Sequence, residues 1–283
     1  MPRVSDAPAT SHHDEIAAGA RFGFGDNWAR FLEVLDDERV ASAEQSLREF
    51  LGVERLDGKR FLDIGSGSGL FSLAARRLGA DVTSFDYDPQ SVACTAELRR
   101  RYFADDPRWR VSEGSVLDAG FLAGLGAFDI VYSWGVLHHT GAMWDAIANA
   151  MARVAPGGQL FIALYNDQGR LSRGWLAVKQ AYNANPAGRA AVLGAFVPYF
   201  VGRMMAASAL RGQAPWKVLR TLRPRRGMSP MRDIVDWLGG LPFEVASPGA
   251  VHDFARAHGF TLERLHTVGG AHGCNEFVFR RAP

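Results

Sequence analysis

The sequence predicts a doubly wound α/β domain carrying a helical insertion, and three observations predict it. Short apolar runs alternate with helical segments from residue 60 to residue 164. The first run empties into a glycine-rich turn, Asp63-Ile64-Gly65-Ser66-Gly67-Ser68-Gly69. The alternation then lapses over residues 166–245, a gap too long for a plain connection, and resumes before the C-terminus. Strands separated by helices call for a parallel sheet covered on both faces.

Residues 1–20 are polar, with Pro2, Pro8 and the pair His12 and His13, and are expected to form a disordered tail. They hold no apolar run, so no signal peptide is expected there. Residues 21–58 read as an aromatic turn and two helices, and the aromatic segment Phe22 to Phe31 is expected either to dock on the sheet or to fold over the mouth of a ligand site. Asp26 is placed to cap the first, in which Trp28, Phe31, Leu32 and Leu35 recur at helical spacing toward Val40; the second covers 43–51. The core is expected over 59–165 and 246–283. Its strands are predicted at 60–64, 81–85, 108–112, 128–133 and 159–164. Its helices are predicted at 70–78, stopped by Gly79; at 88–102, with Pro89 in the first turn; and at 143–154. Pro156-Gly157-Gly158 reads as the turn into the fifth strand. Ser247 and Pro248 open a further helix that ends at Gly259, and strands at 260–268 and 275–280 close the fold. No internal repeat is visible.

Bulk numbers narrow the class. With 283 residues, 47% hydrophobic and 22% charged, the chain can build one sizeable core plus an insertion. A formal net charge of +2 gives no global pull toward nucleic acid, so any such preference must be local. Cys94 and Cys274 are far apart in no metal-like spacing, which suits reduced thiols in a cytoplasmic protein. Residues 190–210 are mostly apolar, but Pro198 and Arg203 interrupt them and alanines dominate, so a spanning helix is not expected.

The glycine-rich turn carries the chemistry. Without Cβ atoms a ligand can approach the backbone closely, and the helix behind offers free N–H groups. A dinucleotide site wants G-x-G-x-x-G, yet the position of the last glycine is Leu70 or Ser72, depending on where counting starts. The acid directly before the loop, Asp63, would repel a pyrophosphate and suits a cationic ammonium group instead.

This loop resembles the first motif of class I S-adenosylmethionine-dependent methyltransferases, and later residues keep the resemblance in order. Ser84-Phe85-Asp86-Tyr87-Asp88-Pro89 is similar to the end of the family's second strand. Gly114-Ser115-Val116 is similar to its adenine-edge motif, with Ser115 where the family often has an acid. Phe128-Asp129-Ile130-Val131-Tyr132-Ser133-Trp134, then Val136-Leu137-His138-His139, resembles the fourth-strand motif, and Ala155-Pro156-Gly157-Gly158 the turn before strand five. The resemblance implies a Rossmann-like seven-stranded sheet with the last strand antiparallel and S-adenosyl-L-methionine as cofactor. It assigns cofactor contacts to Asp63, Gly65, Ser66, Gly67, Gly69, Asp86, Tyr87, Ser115, Val116, Ser133 and Trp134. Asp86 would take the ribose and Tyr87 would lie against the adenine.

A closer resemblance, through Val-Leu-His-His, is to ubiquinone-pathway O-methyltransferases. Their acidic metal ligands correspond to Gly135 and His138, so no essential magnesium is expected. A hydroxyl acceptor would profit from a general base of near-neutral pKa, for which His138 and His139 are the candidates, with Tyr165 and Asp167 behind them. Base-amine methylation commonly uses Asn/Asp-Pro-Pro-aromatic after strand four. Ser133-Trp134-Gly135-Val136 cannot supply that, so a nucleic acid is not the expected acceptor.

Residues 166–245 read as a substrate cap. Its aromatics, Trp175, Tyr182, Tyr199, Phe200, Trp216 and Trp237, suit a small core with some positions left for an apolar acceptor. Arg203, Arg211, Lys217, Arg220, Arg223, Arg225 and Arg226 read first as a solvated face, and secondly as a site for an anionic acceptor or an acidic membrane surface. The expected function is O-methylation of an apolar or phosphorylated small molecule. C-, N- or S-methylation, an NAD-type oxidoreductase and a non-catalytic cofactor-binding subunit remain as alternatives.

Overall fold

Seven strands form one sheet in the computed structural model of the chain, which describes residues 12–23, 28, 32, 35–212, 214, 230–270 and 273–283. In chain order the elements are α1 (His12–Ala17), α2 (Asp37–Leu51), β1 (Arg60–Ile64), α3 (Leu70–Arg77), β2 (Asp81–Asp86), α4 (Pro89–Tyr102), β3 (Trp109–Glu113), α5 (Ala119–Leu125) and β4 (Phe128–Trp134). A 3-10 turn (Leu137–His139) comes next, then α6 (Met143–Ala152), β5 (Val154–Tyr165), α7 (Arg170–Ala184), α8 (Pro186–Leu210), α9 (Pro230–Gly239), α10 (Pro248–Ala257), β6 (Phe260–His266) and β7 (Cys274–Arg281).

The strand order is β3-β2-β1-β4-β5-β7-β6. β7 runs antiparallel to both its neighbours and the remaining pairs are parallel. The expected doubly wound, Rossmann-like sheet with its last strand antiparallel is therefore present. The order reverses between β1 and β4, where the carboxyl ends of parallel strands open a crevice. Period-two alternation sends neighbouring residues to opposite faces: Phe61 packs with α2 and α3, whereas Leu62 packs with α6.

Local differences from expectation have local causes. Residues 12–17 form α1 instead of a frayed tail, with Asp14 and Glu15 in the first turn, where the helix dipole favours acids. The helix expected to run to Val40 is broken at Asp36, which is extended (φ −131°, ψ 167°) and caps α2 by accepting from the Arg39 N–H. Asp26 and Phe31 lie outside the described residues. Pro156-Gly157-Gly158 is no turn: β5 runs through it from Val154, and the register against β4 shifts between Phe128 and Ile130. An unexpected short helix, α5, is capped by Asp118, which accepts from the Phe121 N–H.

Between β5 and α10 the chain leaves the core. α7, α8 and α9 share a third apolar cluster in which Phe22, Tyr182, Val192, Ile234 and Leu238 are buried. The two ends of this excursion meet: Asn166 bridges Ala246, whose N–H donates to the Tyr165 carbonyl at 3.0 Å. Trp216, Lys217, Arg220, Arg223, Arg225 and Arg226 lie outside the described residues.

Candidate functional site

β1 delivers Asp63 to the crevice with 2% of its surface exposed. A chain of donors holds it from behind. Trp109 Nε1 donates to Ser84 Oγ at 3.0 Å, Ser84 and Ser72 share a hydroxyl hydrogen bond of 2.6 Å, and Ser72 donates to Asp63 Oδ2 at 2.5 Å. Burial raises the Asp63 pKa to about 7; Asp86 nearby pushes the same way and the Ser72 hydroxyl opposes.

The turn after Asp63 is built from glycines for two reasons. Gly65 and Gly67 have φ of 74° and 54°, a region that strains other residues. A Cβ on Gly65 would also sit 2.5 Å from Val136, and one on Gly67 would be 3.0 Å from the Trp28 ring. Asp86, at the end of β2, closes the loop from the far side: it accepts from the Gly67 N–H at 2.9 Å and the Asp88 N–H at 3.0 Å. Burial raises its pKa to about 6, against the pull of the Asp88, Gly67 and Tyr87 backbone donors.

These groups border one cavity of about 1080 Å³. Asp63, Gly65, Ser66, Gly67, Asp86, Tyr87, Ser115, Val116, Trp134 and His139 all line it. Gly69, Ser133 and His138 are not among its lining residues. Gly69 opens α3, and Ser133 is buried and donates to the Ile64 carbonyl at 3.0 Å, tying β4 to β1. Ser115 accepts from the Leu117 N–H at 3.2 Å, and Trp134 Nε1 donates to Glu276 at 2.6 Å.

The N-terminal segment supplies a wall: the sequence leaves residues 22–31 between docking on the sheet and folding over the cofactor mouth, and it does not place His12, Glu15 or Arg21 there. His12, Glu15, Arg21, Phe22 and Trp28 line the cavity. Arg21 pairs with Glu15 at 2.5 Å, donates to the His139 carbonyl at 2.9 Å and lies 5.0 Å over the Tyr87 ring; Tyr87 OH donates to Glu15 at 3.3 Å. Phe22 N–H donates to the Leu241 carbonyl at 3.0 Å, so the segment joins the donor rim to the excursion. Two acids in one helical turn ahead of an aromatic run were the only sequence signal for it.

The two histidines separate in role. His138 is fully buried, accepts from the Tyr165 N–H at Nδ1 (3.3 Å) and lies 3.9 Å from the Tyr165 ring; its Nε2 has no hydrogen-bond partner among the described residues. Burial, reinforced by His139 and Lys179, holds its pKa well below the ordinary value. His139 reaches the cavity. Its Nδ1 lies 2.6 Å from the Pro242 carbonyl, which can only accept, so Nδ1 carries the proton and Nε2 is the basic nitrogen. Burial and the charge of Lys179 lower its pKa to about 3.

Beyond His139 the wall is aromatic. Tyr165 and Trp237 line the cavity with ring centres 5.1 Å apart, and Phe243 stands 5.4 Å behind Tyr165. The fully buried Lys179 pins this group: its ammonium donates to the Trp237 carbonyl and lies 4.7 Å from the Trp237 ring and 4.8 Å from Phe243. Tyr165 thus lines the cavity, whereas Asp167 is exposed and accepts from the Gly169 N–H at 2.7 Å.

The family described as "Methyltransferase domain" matches residues 36–201. The ubiquinone biosynthesis O-methyltransferase of Schizosaccharomyces pombe, a mitochondrial protein, is 30% identical over 49% of this chain and 48% of its own length. A tRNA U34 carboxymethyltransferase of Methylococcus capsulatus is 34% identical over 42% of this chain and 36% of its own. The chain spans about half the length, or less, of these curated relatives. Among solved structures, the magnesium protoporphyrin IX methyltransferase of Synechocystis PCC 6803, with bound SAM, aligns with a TM-score of 0.54 at 12% identity, over 98% of this chain and all of the other. That likeness is one of fold.

Proposed function

Because the chain belongs to the methyltransferase-domain family, we propose that it transfers a methyl group from S-adenosyl-L-methionine to the hydroxyl of an apolar small molecule. One observation carries this reading: a single cavity runs from the carboxylate-flanked glycine loop to an aromatic wall containing His139.

The donor set fits the cofactor. Asp63 and Asp86 are carboxylates whose burial is offset by no cationic side chain among the described residues, so a positively charged ligand favours their ionised forms. The Asp86 carboxylate, with roughly four lone-pair sites, accepts from the Gly67 and Asp88 N–H groups and is also favoured by the Tyr87 N–H, which leaves acceptor capacity for ribose hydroxyls. Asp63 would hold the amino-acid arm, Gly65 and Gly67 would let the nucleoside approach, and Tyr87 with Val116 would flank the base. When bound, the cofactor supplies an electrophilic methyl group on a sulfonium, and transfer leaves a neutral thioether.

The chain's own task is alignment and exclusion of water. Tyr165 and Trp237 seat an apolar acceptor, and His139 Nε2 accepts a hydrogen bond from its hydroxyl. An imidazole with a pKa of about 3 is a weak base, which suits a late proton transfer. As the oxygen's electron pair takes the methyl, its proton becomes strongly acidic and passes to Nε2. The same weakness favours phenolic or enolic hydroxyls over aliphatic alcohols.

Two measurements test the reading. Titration calorimetry should show S-adenosylhomocysteine binding and no heat with NADH. Labelled donor incubated with phenolic and aliphatic acceptors should label the phenolic set. Affinity for NADH alone, or an absence of any affinity for the homocysteine product, would overturn it.

A further inference from the structure

Between Asp167 and Asp233 the chain carries twelve of its 32 basic residues and none of its 30 acidic ones. The rest of the molecule is therefore net acidic, and the positive charge is concentrated in the excursion. Within that stretch lies α8, 25 residues long; among the described residues it is the one helix long and apolar enough to cross a membrane.

A soluble helix of that composition would normally be buried on most sides. In α8 only Val192 and Ser208 are buried. Leu193, Phe196, Val197, Phe200 and Met204 pack against the cluster shared with α7 and α9. Beside that packing, Tyr199 and Leu210 fall on one stripe with Arg203 and are 54% and 89% exposed, while Met205, elsewhere on the helix, is 37% exposed among exposed alanines. Arg189 and Arg203 are the only charged side chains on the helix; Arg189 is engaged 4.8 Å over the Tyr182 ring, whereas Arg203, and Arg211 directly after the helix, are exposed.

We propose that the stripe of α8 carrying Tyr199, Arg203 and Leu210, with Arg211 after it, docks on an anionic lipid surface. The helix lies along the surface and does not span it, because its other side is committed to packing inside the protein. Arginines reach the headgroups while Tyr199 and Leu210 enter the boundary with the acyl chains. A phosphodiester backbone would reward the arginines but not the apolar side chains between them. Ring contacts of 6.1 Å (Phe200 to Trp175) and 5.6 Å (Trp175 to Trp237) connect this face to the cavity wall, so docking holds the acceptor end of the cavity next to the lipid. The surface stands apart from methyl transfer and is measured without donor or acceptor.

The test is cosedimentation of the full chain with vesicles of phosphatidylcholine alone or in equal mixture with phosphatidylglycerol. The chain should pellet with the mixed vesicles only, and less as salt rises. The double variant Arg203→Gln, Arg211→Gln should lower partitioning about thirty-fold. Leu210→Glu should lower it as well, each variant keeping the parent's melting temperature and its affinity for S-adenosylhomocysteine. Equal recovery with neutral and mixed vesicles overturns the proposal, as do variants that bind like the parent. So does a self-association that Leu210→Glu abolishes in the absence of vesicle binding. Salt-sensitive binding to tRNA that ignores Leu210→Glu, without vesicle binding, would reassign the basic stretch to nucleic acid.

Discussion

Ser72 donates to Asp63 across 2.5 Å while it shares a hydroxyl hydrogen bond with Ser84, so the carboxylate at the end of β1 is aimed by a buried relay that begins at the Trp109 indole. Ser72→Ala breaks the relay in the middle and leaves both neighbours short of a partner. It should destabilise the fold by about 1–3 kcal/mol. Urea denaturation at neutral pH reads this, and an unchanged midpoint would show that the relay is ornamental.

Asp63→Asn keeps an acceptor for Ser72 but removes the charge. The folded pKa is about 7 against an ordinary 3.8, so burial favours the protonated form. The stability this confers is fully present below the ordinary value and is lost as pH rises through about 7. The ligand-free variant should therefore match the parent near the low end of that window and melt several degrees higher above it. Its affinity for S-adenosylmethionine should drop at least tenfold. Parallel melting curves at every pH would sink the argument.

The two adjacent histidines should respond differently to substitution. His139→Ala should lower kcat by up to about 10²-fold, the low end for a base this weak, with little change in donor affinity. His138→Ala opens a gap behind Tyr165 and should cost stability before it costs chemistry. With its pKa near 3, His139 is neutral from mildly acidic pH upward, so the rate profile should show no step near 6.5 that vanishes in His139→Ala. Appearance of such a step would contradict this reading of the site.

Arg21 touches Glu15, Tyr87 and the His139 carbonyl at once. Arg21→Ala should release the N-terminal wall. We expect S-adenosylhomocysteine to dissociate at least several-fold faster, with the melting temperature of the donor-free protein little changed. Stopped-flow displacement gives the rate; identical rates would mean that the wall does not retain the donor.

Turnover should be unaffected by a chelator, since Gly135 and His138 stand where the resemblance drawn from sequence implies acidic metal ligands. Loss of activity in the chelator, restored by magnesium, would reverse that expectation.

Much of this was legible before any coordinates. β1, β2 and β4 announce themselves because apolar pairs such as Phe61 and Leu62 alternate up to a polar end, and glycines mark the turns near them. Asp63 and Asp86 could be placed on either side of the turn for the same reason. Other features depend on partners distant in sequence. α1 has six polar-rich residues and no apolar stripe, and its position comes from Tyr87 and Asp88, more than seventy positions away. Pro156-Gly157-Gly158 reads as a turn by composition, yet a Cβ on Gly158 would lie 2.8 Å from the Asp129 carbonyl, so that glycine serves a close strand approach. The pinning of Trp237 by Lys179 joins residues on separate helices and leaves no local trace.

The rung that joins Asn166 to Ala246 has a wider meaning. A detour that departs and returns at one point imposes no spacing on the scaffold that carries it, and the scaffold imposes none on the detour. Exchange or redesign of that cassette is therefore expected to change the aromatic wall that Trp237 gives the cavity, provided that the contacts of Phe22 with Leu241 and Tyr182 are kept.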